Sequence, residues 1–114
     1  MATAAPSAPL PLFYNNIVPL NSNEHGNMKL RQIESAPQIG QTHAVPVTVD
    51  EFGLIQRFYP IVFSIGENPI PIALMGLNEG VNVFLDENGR AISPGIYMPA
   101  YIRRYPFLLA RLRP

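Results

Sequence analysis

The sequence predicts a small α+β domain, in which an antiparallel sheet of short strands packs against one main helix. Three observations predict this class. The 114 residues include 13 prolines and 8 glycines, which favour short elements and many turns because proline has no backbone donor. One helix-initiation signal lies mid-chain, at Thr48. After Pro60, apolar residues recur with period two or in short runs, a pattern typical of strands.

The N-terminal third carries the weakest structural signals. Residues 1–11, rich in alanine and proline, predict a flexible arm that buries little apolar surface. We expect order to begin at 12–20 as an edge strand, because an edge tolerates proline. A polar loop over 21–27 and a half-buried strand over 28–33 follow. Residues 12–114 are therefore expected to form a single domain.

The best-specified element is a helix over about 49–58. Thr48 and Glu51 have the spacing of a capping box, in which each side chain accepts a hydrogen bond from the other residue's backbone N–H. Apolar residues then follow at helical spacing, namely Val49, Phe52, Ile55 and Tyr59. Pro60 ends the helix and favours an extended conformation at the residue before it.

Strand signals dominate the rest of the chain. The apolar runs 61–65, 70–77 and 81–85 are separated by short turn-like links, which predict an antiparallel meander. Asn88-Gly89 is typical of a tight reversal, so a hairpin is expected there. Near the end, Pro99 favours one helical turn that Pro106 closes, and "FLLARL" is expected to follow as a strand.

Charge and composition restrict the classes of function. The formal net charge is zero, but residues 101–114 carry four basic and no acidic side chains, so we expect this end to be attracted to the acidic body. The absence of cysteine excludes disulfides and thiolate chemistry. The N-terminus has no basic region typical of a signal peptide, and no apolar stretch approaches the ~20 residues of a membrane span. We expect a cytoplasmic protein, with signal-peptide-independent export to the cell surface as the alternative.

Catalytic and cofactor signatures are missing from the sequence. His25 and His43 lie 18 residues apart in polar segments, without metal-ligand spacing, and no glycine-rich phosphate loop occurs. We therefore predict no catalytic residue, no metal and no cofactor. If the chain is instead an enzyme or an enzyme subunit, its polar cluster would be His43, Asp86 and Arg104.

The aromatic and arginine-rich C-terminal region is the candidate binding region. Such residues could bind nucleic acid, but a neutral chain argues against it, and Pro106 interrupts the helix that peripheral membrane binding would require. A protein partner or self-association is the favoured interpretation, with peripheral membrane contact as the alternative. The candidate contact residues are Tyr97, Tyr101, Arg103, Arg104, Tyr105 and Phe107, because aromatics and arginine dominate interface energetics.

Four sequence blocks occur in an order that resembles the SapC family of bacterial surface-layer-associated proteins. They are "PLFYNNIVPLNSNEHGNMKL", "HAVPVTVDEFGLIQRFYPIVF", "PIALMGLNEGVNVFLDENGR" and "YMPAYIRRYPFLLA". The resemblance covers about residues 11–110 and corresponds to the amino-terminal half of the family. Family members are roughly twice as long, which implies a domain that is incomplete at its C-terminus.

The resemblance implies a non-catalytic accessory or interaction protein, associated with the assembly or export of surface-layer or envelope proteins. No family active site transfers to this chain. Two alternatives stay open. One is an enzyme or enzyme subunit of unknown reaction, and the other is a self-assembling structural protein whose strand edges pair between copies.

Overall fold

The computed structural model describes residues 10–31, 35 and 39–111. The chain divides into two compact units, and the boundary falls between Gln32 and Ile33. The first unit contains one short helix, α1 (Ser22–His25), which begins where the side-chain oxygen of Asn21 accepts a hydrogen bond of 2.8 Å from the Glu24 N–H. This bond satisfies one of the backbone donors that a helix start leaves open.

The strands predicted in the first unit are wrong within the described residues. The Tyr14 N–H donates to the Pro11 carbonyl at 3.1 Å, and Phe13 has a φ of 80°, so the chain turns where an edge strand was expected. Residues 28–31 have no strand partner, and an extended segment becomes a strand only through pairing. Residues 1–9 of the predicted arm and positions 32–33 lie outside the described residues.

The second unit contains a three-stranded antiparallel sheet, which confirms the predicted α+β class. Its strands are β1 (Ala44–Pro46), β2 (Ile61–Phe63) and β3 (Pro71–Leu74). They lie in the order β1-β3-β2, so β3 is central. The fully buried Ala73 pairs with Val45 on one side and with Ile61 on the other.

The predicted helix is present but shorter than 49–58. A 3-10 turn at Val49–Glu51 leads into α2 (Phe52–Ile55), and the capping box of Thr48 and Glu51 is confirmed. Beyond Ile55 the backbone forms turns, because the N–H groups of Phe58 and Tyr59 both donate to the Ile55 carbonyl. Regular helical hydrogen bonding therefore ends before Pro60.

The core forms where this helical segment meets the sheet. Its most deeply buried side chains include Ile39, Val45, Ile55, Tyr59 and Met75. The Tyr59 ring lies edge-on to Phe84 with 4.5 Å between centroids, and its hydroxyl donates to the Tyr97 carbonyl at 2.9 Å. Burial raises the pKa of Tyr59 to about 12, so this hydroxyl remains a hydrogen-bond donor at physiological pH.

The strand predicted over 81–85 is wrong, and β1 takes its place beside β3. Within this segment the buried Asn82 donates to the Ile39 carbonyl at 3.2 Å and accepts a bond of 2.9 Å from the Phe84 N–H. These side-chain bonds occupy backbone groups that would otherwise be available for pairing between strands. The tight reversal that follows is confirmed, because Gly89 has a φ of 78° and the chain pairs at Leu85 and Ala91.

The C-terminal region contains α3 (Ala100–Arg103), which begins after Pro99 as predicted. This helix packs against β1. The strand predicted after Pro106 is absent from residues 107–111. Within the described ranges, no helix combines the length and the apolar character that crossing a membrane requires.

Two glycines test the packing of the second unit. A Cβ at Gly76 would overlap the Val81 carbonyl oxygen, whereas a Cβ at Gly53 meets no atom within 4 Å. We expect Gly76→Ala to lower the free energy of unfolding by about 1–3 kcal/mol through overpacking. Gly53→Ala, within α2, should raise it by up to about 1 kcal/mol. Chemical denaturation measures both, and equal effects would contradict this packing.

Candidate functional site

The carboxylate of Glu51 joins the start of the helical segment to the C-terminal region. Its side chain is 8% exposed. One oxygen, Oε2, accepts hydrogen bonds of 3.1 Å from both the N–H and the hydroxyl of Thr48. The other, Oε1, accepts bonds of 2.7 Å from the Tyr97 hydroxyl and from the Ala100 N–H. Glu51 thus connects the start of the helical segment to residues that lie 46 and 49 positions further along the sequence.

This arrangement keeps Glu51 ionised despite its burial. Burial raises the pKa of Glu51, but hydrogen bonds from Ala100, Tyr97 and Thr48 outweigh that effect and leave the pKa below its usual value. Hydrogen bonds to the charged form of a carboxyl stabilise that form. The same bond to Glu51, together with burial, raises the pKa of the Tyr97 hydroxyl, although Arg103 opposes the rise.

Arg103 extends the network outward to the surface. Its Nη2 donates to the Tyr97 hydroxyl at 2.9 Å, and its Nε donates to the Met98 carbonyl at 2.8 Å. The Tyr97 hydroxyl therefore accepts from Arg103 while it donates to Glu51. We call Glu51, Tyr97, Ala100 and Arg103 the carboxylate clip, because they fasten the start of α3 to the start of the helical segment.

The carboxylate clip has the chemistry of a structural element. Each Glu51 oxygen already accepts two hydrogen bonds. A general base must bind the proton that it removes, and Glu51 could do so only by giving up one of these bonds. The capping-box bonds from Thr48 to Glu51 are a local motif that the sequence predicts. The bonds from Tyr97 and Ala100 to Glu51 were missed, because no local pattern marks contacts this distant.

The six predicted contact residues lie in and around α3. Tyr97 and Arg103 belong to the carboxylate clip. The Arg104 guanidinium lies over the Tyr101 ring, 4.3 Å from its centroid, and Tyr105 is half-buried. Phe107 is the most exposed of the aromatic residues in this set, at 48%. The use of these residues in partner binding stays a prediction.

The three residues of the enzyme alternative make separate contacts. The His43 carbonyl accepts hydrogen bonds from the N–H groups of Met75 and Gly76. Asp86 accepts bonds from Asn88 and Arg90 within its own turn. Arg104 stacks on Tyr101. Across the part of the chain that the structure describes, no group of three or more His, Cys, Asp or Glu side chains could hold a metal ion.

A second candidate site is the outer side of β2, which we call the β2 edge. β2 lies at the end of the strand order and pairs with β3 alone among the described strands. Val62 and Phe63 are 38% and 60% exposed, and residues 60–65 carry no charge. Phe63 lies edge-on to Phe52, with 6.4 Å between centroids. Within the described residues, the edge therefore combines backbone that no strand pairs with and exposed apolar side chains.

Comparison with known proteins identifies one family. The family model described as SapC matches residues 20–114, which include α1, the whole sheet, the carboxylate clip and the β2 edge. No match was found among curated proteins or among solved structures.

The carboxylate clip predicts a pH-dependent stability that Glu51→Gln removes. Because the folded pKa of Glu51 is lowered, its stabilising contribution is present above the usual glutamate pKa and is lost as the pH falls through the folded value. Glu51→Gln also turns an amide N–H₂ toward backbone donors, so we expect it to cost about 1–3 kcal/mol at neutral pH.

Urea denaturation over a pH series measures this effect. Asp50→Asn is the matched control, because Asp50 is the exposed neighbouring carboxylate in the same turn. Wild type and Asp50→Asn should lose stability toward acid pH more steeply than Glu51→Gln. If all three curves have the same slope, Glu51 does not contribute as described.

Proposed function

The chain belongs to the SapC family, and on that premise we propose that it is a non-catalytic accessory protein that binds other proteins during the assembly or export of surface-layer or other envelope proteins. In this proposal it is made in the cytoplasm and either acts there or reaches the cell surface without a signal peptide. Its function is to join polypeptides by contact.

The observation that carries this proposal is the open and uncharged β2 edge. Soluble proteins usually protect an edge strand with charges, proline or a covering segment, because unpaired backbone groups invite another strand. Residues 61–63 contain neither charge nor proline. Strand addition at such an edge is a common mode of peptide recognition, in which backbone hydrogen bonds supply affinity and side chains supply specificity.

The C-terminal region offers a second contact surface. Phe107 and Leu109 are 48% and 99% exposed, and the exposed Arg111 follows them. Aromatic and arginine side chains are enriched among the residues that dominate binding energy. We propose that this stretch, with the predicted contact residues before it, binds the envelope partner.

The buried polar groups favour binding over catalysis. Glu51 is the buried carboxylate of the described residues, and its four hydrogen bonds hold the fold together. An acid or base catalyst needs a group that can exchange protons with a substrate. The geometry of Glu51 suits the positioning of α3, which supports an interaction protein.

Site-specific photo-crosslinking in the cells that produce the protein tests this function. A photoreactive phenylalanine analogue replaces Phe63 on the β2 edge or Phe107 in the C-terminal region. The matched control replaces Ile92, which is 58% exposed and lies away from both surfaces in sequence. We expect an identified surface-layer or envelope protein to be crosslinked at position 107 or 63, and not at 92.

The outcomes separate the function classes. Adducts with the same envelope protein from independent preparations support the accessory function. If neither position yields an envelope protein, or if position 92 yields the same proteins equally well, the accessory function is wrong.

A further inference from the structure

At two residues of β2 the backbone hydrogen-bonding groups point away from β3, on the side where no described strand pairs with β2. The Leu74 N–H donates to the Pro60 carbonyl, and the Ser64 N–H donates to the Ile70 carbonyl. The backbone N–H and C=O groups of even-numbered residues in this stretch therefore point toward β3. Because backbone groups alternate sides along a strand, Ile61 and Phe63 direct their N–H and C=O groups away from the sheet.

The opposite edge of the sheet is protected. The Val47 N–H donates to the Pro71 carbonyl, and the Met75 N–H donates to the His43 carbonyl. The backbone groups of odd-numbered residues in and beside β1 therefore point toward β3. Pro46 occupies an outward position, where its missing N–H removes a donor from the edge without weakening the ladder. α3 also packs against β1.

Charges on either side of β2 favour antiparallel pairing of two identical strands. Arg57 precedes the strand and Glu67 follows it, each five residues from Val62 and each exposed. Antiparallel pairing of two copies brings the arginine end of one strand to the glutamate end of the other. Parallel pairing would instead place like charges together, which is unfavourable.

We propose that the β2 edge binds the β2 edge of a second copy of this chain, antiparallel and in a register centred on Val62. In this register Ile61 of each copy exchanges backbone hydrogen bonds with Phe63 of the other, because both residues present outward groups. The two Val62 side chains meet at the two-fold axis as a non-hydrogen-bonded pair. The exposed Phe63 of each copy packs against Ile61 of the other copy, on the face of the sheet opposite to the two Val62 side chains.

The proposed assembly closes at two copies. A two-fold interface uses the same surface on both partners, so both β2 edges are consumed, and the two outer strands of the joined sheet are the protected β1 strands. An open filament would require a second edge able to pair. This proposal rests on the accessory function and narrows it: the polypeptide that the β2 edge joins is a second copy of this chain, and the envelope partner binds at the C-terminal region, so that position 107 is the position expected to crosslink to it.

The solution mass of the full 1–114 chain tests the proposal, measured by analytical ultracentrifugation over a concentration series. We expect a monomer–dimer equilibrium. Val62→Lys should give a monomer, because it places two ammonium groups together at the two-fold axis, whereas Val62 is exposed enough in one copy to accept lysine. The matched control is Val83→Lys, at a 56% exposed valine outside the sheet, which should dimerise as wild type does.

A charge exchange tests the register. Arg57→Glu or Glu67→Arg alone should raise the dimer dissociation constant about fivefold, since each places like charges together at both ends of the interface. The double variant restores opposite charges and should return the constant to the wild-type value. A foreign partner strand would not show this restoration, because exchanging both charges of one chain would leave both ends mismatched.

Three results would overturn the proposal. These are a monomeric wild type throughout the series, a dimer that survives Val62→Lys, and a double charge variant that is no better than the single ones. Circular dichroism confirms that each variant is folded. If the chain is monomeric while position 63 crosslinks to an envelope protein, the dimer is wrong and the accessory function stands. If the dimer forms as described but no envelope protein is crosslinked, the dimer stands and the accessory function is wrong.

Discussion

The buried carboxylate of Glu51 is the constraint on which the rest of the second unit depends. Its Oε1 holds both the Tyr97 hydroxyl and the first N–H of α3, and this places α3 against β1. β1 is the edge strand opposite β2, and Pro46 lies in it. A hydrogen-bonded carboxylate that belongs to no strand therefore links the helical segment to the helix that contacts this edge strand.

A buried charge is stable here because of the number and type of its donors. An ionised carboxylate in an apolar environment is costly unless hydrogen bonds replace those of water. Two backbone N–H groups and two hydroxyls do so for Glu51. The nearest cation in the network, Arg103, reaches it through Tyr97. A polarised chain of this kind strengthens each hydrogen bond along it. Removing the carboxylate would leave four donors to be satisfied elsewhere.

Local chemistry explains which features the sequence could predict. The capping box at Thr48, the reversal at Gly89 and the helical turn after Pro99 each depend on a few adjacent residues. The α+β class and the strands β2 and β3 followed from apolar periodicity and short links. The assignment of 81–85 to a strand failed because Asn82 bonds to Ile39, 43 residues away, and to its near neighbour Phe84. The contacts of Glu51 with Tyr97 and Ala100 are equally distant, so the site was predicted only in its local half.

The two edges of the sheet differ in their protection against pairing with another strand. Pro46 lies at a position where it removes an outward donor and no inward one, whereas β2 has no such residue. A strand left open without charge or proline is an aggregation risk, yet this one is bounded by Pro60 and by the turn after Ser64. Only Ile61 and Phe63 point outward between these limits. That is too short for the six- or seven-residue segments that stack into fibrils, but it is enough to align one further strand. The open edge is thus short, and the other edge of the sheet is protected. Both properties favour pairing with one further strand over the growth of a filament.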